Sequence, residues 1–104
     1  MEYVIVYMTA ADLKEAKKIQ QVLVAEKLAA CVNILSELDS FYWWKGKKEG
    51  AKEIAVIAKT RKGLVDKLTK RVKEIHSYEV PCVVAFPIIG GNQDFLKWIG
   101  ENTK

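Results

Sequence analysis

A histidine, a glutamate three residues after it and two cysteines are the side chains of this 104-residue chain best suited to hold a metal ion. Only Ser77 and Tyr78 separate His76 from Glu79, so an imidazole and a carboxylate occupy one short loop and can converge on a divalent cation. The competing role for His76 is structural, because an imidazole at the end of a basic helical segment interacts with the helix dipole and the last carbonyls. Cys31 follows Ala29-Ala30 at the start of an extended run. A thiolate there suits Cu(I) and other soft ions, whereas a free cysteine usually packs as a small hydrophobe. Cys82 lies inside an apolar run and is read as core. The two cysteines form no CxxC pair, which argues against a zinc ribbon or a thioredoxin-type motif.

Enzymatic chemistry is not expected. The sequence carries no Ser/His/Asp set, phosphate-binding loop or paired-carboxylate motif, and its one histidine has no nucleophile beside it. Seventeen Lys+Arg against thirteen Asp+Glu give a net charge of +4, too mild to name an acidic partner. Lys45, Lys47, Lys48 and Lys52, with Lys59, Arg61 and Lys62, could contact an anion, although a solvated charged face is the ordinary reading. Phe41-Tyr42-Trp43-Trp44 could stack bases, but RNA-binding sheets keep such aromatics on central strands. The run Ile54–Ala58 offers none, so nucleic acid is not the expected partner.

The elements that position these residues follow from periodicity. Strands are expected at Glu2–Thr9, Ala29–Trp44, Lys52–Thr60 and Val80–Ile89. Pro81 and Pro87 assign the last of these to a sheet edge. Asp12, with Glu15 three residues on, has the form of a helix cap, followed by Leu13, Ala16, Ile19, Leu23 and Leu28 at roughly helical spacing. Leu64, Leu68, Val72 and Ile75 mark a second helix. Asn92 caps a short third one with Phe95, Trp98 and Ile99 inward. The order β-α-β-β-α-β-α predicts an α+β, ferredoxin-like split βαβ sandwich as a single domain over 1–104. No apolar run approaches the roughly 18 residues of a membrane span. The start Met1-Glu2-Tyr3-Val4 lacks the pattern of a signal peptide. A cytoplasmic protein with reduced cysteines is the expectation.

Two long helices cover one face of such a sheet, yet the strands are apolar on both. Tyr3, Ile5 and Tyr7 alternate with Val4, Val6 and Met8, and the aromatic run places two rings on each side. An uncovered face of that kind predicts oligomerisation through the sheet, unless the third helix covers it.

The motifs Ala30-Cys31-Val32-Asn33-Ile34, Ser40 to Lys47 (SFYWWKGK), Glu53 through Lys59-Thr60, and His76 to Pro81 (HSYEVP) together resemble the CutA divalent-cation-tolerance family. The resemblance runs from the first strand to the last helix. It implies a compact homotrimer related in architecture to the PII signalling proteins, and a non-catalytic role in tolerance of copper and other divalent metals. It also raises Cys31, His76 and Glu79 to candidate metal ligands, with Cys31 of one chain approaching the His76–Glu79 loop of a neighbour. The alternative it carries is a PII-like small-anion sensor using Lys59 and Arg61. The chain departs from the family pattern at three positions. Ser77 stands where proline is usual, Ala11 replaces a proline before Asp12, and Met8 stands where some members have cysteine. The first substitution predicts a looser loop and a modest metal affinity.

Overall fold

The computed structural model describes residues 1–104. The elements follow in the expected order: β1 (Tyr3–Ala10), α1 (Leu13–Ala25), β2 (Cys31–Trp44), β3 (Lys47–Arg61), α2 (Val65–Ile75), β4 (Val83–Pro87) and α3 (Gln93–Glu101), with a 3-10 turn at Lys62–Leu64 leading into α2. The strands form one antiparallel sheet in the order β2-β3-β1-β4, the ferredoxin-like split βαβ arrangement. β4 lies at an edge, in keeping with Pro87 within it and Pro81 just before it.

Local chemistry sets the ends of α1. Asp12 Oδ1 accepts from the Glu15 N–H at 2.8 Å, while Glu15 Oε1 accepts from Ala11 N at 2.9 Å, one residue before the cap itself. The helix stops at Ala25 because Lys27 adopts φ +57°, which lets the N–H groups of Leu28 and Ala29 both return to the Leu23 carbonyl. Leu28 therefore falls beyond the helix that its spacing suggested, but it is still buried. Its carbonyl accepts from Thr60 Oγ1 at 2.6 Å, which satisfies a fully buried hydroxyl.

The core lies between α1, α2 and the helix-facing side of the sheet. Val4, Val6 and Met8 of β1 pack there with Ile19 and Leu23 of α1 and Leu68 and Val72 of α2. The regular alternation along β1 delivers those three side chains to one face.

β3 begins at Lys47, five residues earlier than the periodicity predicts, because Lys45 (φ +49°) and Gly46 (φ +80°) form a two-residue turn with both central residues left-handed. That geometry matches the twist of the flanking strands and extends the hairpin through charged residues. Cys31 to Ile34 pair with Lys59 to Val56. From Glu37 onward the register shifts by one, so β2 holds one extra residue. Beyond this bulge, Leu38, Ser40, Tyr42 and Trp44 share the side of Glu53 and the open face.

The third helix covers part of the second face, the exception that the sequence reading allowed. α3 lies against the face opposite α1 and α2, so one end of the sheet is sandwiched within a single chain. Lys59 Nζ sits 5.7 Å from the Phe95 ring centre, and Arg61 Nε donates to Thr103 Oγ1 at 2.9 Å. A Cβ at Gly100 would fall 2.8 Å from Tyr3 Oη, and glycine there allows this close approach. The rest of that face remains open, with Val84 and Phe86 about half exposed.

Truncating Leu68 to alanine, in the two-helix layer, is expected to cost about 2–5 kcal/mol. Urea unfolding of Leu68→Ala beside the parent protein measures it, through the shift in midpoint at constant slope.

Candidate functional site

The histidine of the predicted metal loop is engaged at both ring nitrogens. The side chain of His76 is fully buried. Nε2 lies 2.8 Å from the Thr9 carbonyl at the end of β1, and the Tyr78 N–H approaches Nδ1 at 3.0 Å. A carbonyl only accepts and an N–H only donates, so these partners assign the neutral tautomer with the proton on Nε2. His76 thus locks the loop after α2 onto β1, and its own helix's last carbonyls are not its partners.

Glu15 completes this lock. Oε1 lies 3.6 Å from His76 Nε2, and Oε2 accepts from the Ser77 N–H at 2.7 Å. The expectation of a loop loosened by the absence of proline at 77 is therefore corrected. Serine has a backbone N–H where proline has none, and that N–H ties the loop to the first turn of α1. Burial raises the Glu15 carboxyl, but hydrogen bonds from Ala11 and Ser77 outweigh burial and leave it below the usual carboxylate range.

Cys31, His76 and Glu79 do not meet within one chain. Cys31 is partly exposed on edge strand β2, opposite Lys59, which in turn pairs with Ile5. His76 docks at Thr9, four residues further along β1, so the two lie about 13 Å apart along the sheet and two strands across. Cys31 Sγ donates to Asn33 Oδ1 at 3.6 Å. Glu79 is mostly solvent-exposed and stands 3.9 Å from Lys45 Nζ at the hairpin turn. No three His, Cys, Asp or Glu side chains converge on a common point. Cys82 precedes β4 on the opposite edge of the sheet from Cys31, and both thiols are free. Burial, and secondarily the Glu53 carboxylate, push the Cys82 thiol up, which disfavours the thiolate a soft metal needs.

Lys59 and Arg61 are also committed internally. Lys59 Nζ donates to Asn33 Oδ1 at 2.8 Å, and Arg61 holds the C-terminal segment through Thr103.

Reasoning from sequence alone missed a cleft of about 540 Å³ between the tip of the β2–β3 hairpin and the segment Tyr78–Cys82. Tyr42, Trp43, Trp44 and Tyr78 contribute aromatic walls, and Glu53 its carboxylate. Tyr78 Oη donates to Glu53 Oε2 at 2.8 Å. Burial first, then the Glu53 hydrogen bond and charge, push the Tyr78 phenol far up, so it acts as a donor. In the sequence Glu53 stood out only as the first residue of the motif that runs to Lys59-Thr60. The bulge that brings Tyr42 to its side has no sequence signal.

The Glu15 carboxyl has a sign-defined pH effect. Because its folded-state pKa is depressed, its stabilisation is present above its unfolded value, about 4.3, and is lost as pH falls through the folded value. Glu15→Gln is expected to be less stable than the parent at pH 7, with the difference shrinking below about pH 4. Chemical denaturation across that range measures it.

Comparison with known proteins accords with this architecture. The CutA1 divalent ion tolerance protein family matches residues 4–102. The divalent-cation tolerance protein CutA of Pyrococcus horikoshii is 45% identical over 101 residues, covering 97% of this chain and 98% of its own. The chloroplastic protein CutA 1 of Oryza sativa is 44% identical over 101 residues, covering 97% of this chain; the match spans 57% of that longer relative. Among solved structures, the CutA protein of Archaeoglobus fulgidus, described as periplasmic, superposes with a TM-score of 0.94 at 45% identity, covering 98% of this chain and 99% of its own. With the fold, the motif positions and nearly the whole length in agreement, the chain belongs to the CutA1 divalent ion tolerance family.

Proposed function

We propose that this protein serves in tolerance of divalent metal ions as a non-catalytic homotrimer that binds copper. The observation that carries the reading is family membership over residues 4–102. Physical support comes from the separation of the candidate ligands. Cys31 lies on one edge strand and the His76–Glu79 loop at the far end of β1, so a shared ion requires a second copy of the chain. The half-exposed Val84 and Phe86 on the open face, with Trp43 69% exposed on the hairpin, offer surface for that association. Ligation by His76 takes the Nδ1 lone pair from the Tyr78 N–H, which makes affinity modest and couples metal binding to the loop. Thiolate and imidazole donors favour copper over Mg(II), which prefers oxygen ligands.

Copper titration of Cys31→Ser and His76→Ala beside the parent tests the site. Each variant is expected to bind more weakly, and parent-like binding by both overturns it. Light scattering at micromolar concentration is expected to give three times the chain mass, and the monomer mass overturns the trimer. The compartment we propose is the cytosol, where two unpaired cysteines stay reduced; recovery with a periplasmic marker on fractionation overturns that.

A further inference from the structure

We propose that the aromatic cleft between the hairpin tip and the Tyr78–Cys82 segment binds a primary ammonium carried on a short apolar or aromatic tail. The first observation is Glu53. Its residue is only 7% exposed, yet Oε2 alone has a partner, the Tyr78 hydroxyl. No buried side-chain oxygen lacks a hydrogen bond, so Oε1 is not sealed away. Glu53 lines the cleft, and its free oxygen therefore opens there. A nearly buried carboxylate with an unpartnered oxygen calls for a charged donor, and such bonds are stronger than those between neutral groups.

The second observation is that the chain already places an ammonium at the rim. Lys45 Nζ stands 5.5 Å from the Trp44 ring centre and 3.9 Å from Glu79 Oε2. Aromatic faces and carboxylates together are the surroundings that stabilise an organic cation. Lys45 is largely exposed in this pose and does not reach Glu53, so the deeper carboxylate remains available. Glu53 and Glu79 repel an anion. The cleft offers a metal ion only one inner carboxylate, beside a Cys82 thiol held in its protonated form. Trp44 and Val80 provide the apolar contact for the tail, and 540 Å³ holds a molecule the size of an arylalkylamine.

The cleft shares Glu79 and the Tyr78 loop with the proposed copper site but not Cys31, so Cys31→Ser separates the two readings. The probe is 2-phenylethylammonium, with 2-phenylethanol as its neutral counterpart, titrated by calorimetry and by tryptophan fluorescence. The parent is expected to bind the amine at least about tenfold more tightly than the alcohol. Glu53→Gln is expected to remove most of that preference and leave alcohol binding unchanged. Lys45→Ala, which clears the competing ammonium from the rim, is expected to tighten amine binding about threefold. Cys31→Ser is expected to leave amine binding as it is. No saturable amine binding by the parent, equal binding of amine and alcohol, or a Glu53→Gln variant that folds and keeps the preference overturns the proposal. If Glu53→Gln does not fold, Lys45→Ala decides, and unchanged amine affinity in that variant overturns it.

Discussion

Side chains alternate strictly across a β-sheet, and one extra residue between Ile34 and Glu37 breaks that alternation once. Much of the molecule depends on this combination. Before the bulge, Cys31 and Asn33 of β2 share the open face with Lys59 and Ile57 of β3. After it, the even-numbered residues take that face, which carries Tyr42 and Trp44 to the side of Glu53. With unbroken pairing the odd-numbered residues would share the side of Glu53 instead, although Trp43 already contributes to the cleft lining. The placement of Tyr42 and Trp44 beside Glu53 is thus a product of register.

The second determinant is the lock at the other side of β1. Glu15 caps the first turn of α1, accepts from Ala11 and Ser77, and lies beside the buried His76, whose nitrogens face Thr9 and Tyr78. One carboxylate and one imidazole thereby join β1, α1 and the loop after α2. This anchoring also sets where Tyr78 points, and Tyr78 in turn holds Glu53. The lock and the cleft are consecutive links in one chain of hydrogen bonds, from the α1 cap to the hairpin.

The open face consequently has three zones. α3 closes one end through Phe95, Gly100 and Thr103 against Lys59, Tyr3 and Arg61. The hairpin tip and the Tyr78–Cys82 segment enclose the other end around Glu53. Val84 and Phe86 lie between them, uncovered by any helix of the same chain. The apolar alternation of β1 and β4 foretold a second apolar face. It could not foretell that a nine-residue helix would cover only part of it.

The amino-acid sequence by itself determined the element order, the α1 cap at Asp12, the helix-facing core of Val4, Val6 and Met8, and the edge position of β4. Each of these rests on local chemistry or on periodicity, which are written in consecutive residues. It also singled out His76 as important. Whether that ring faced a metal, the helix end or something else turned on Thr9 and Glu15, more than sixty residues away in the chain. Only the tertiary structure decided three things: the bulge in β2, the pairing of Tyr78 with Glu53, and the separation of Cys31 from the His76 loop. Strand register and loop docking are set by contacts distant in sequence, and a single extra residue reverses every side chain beyond it.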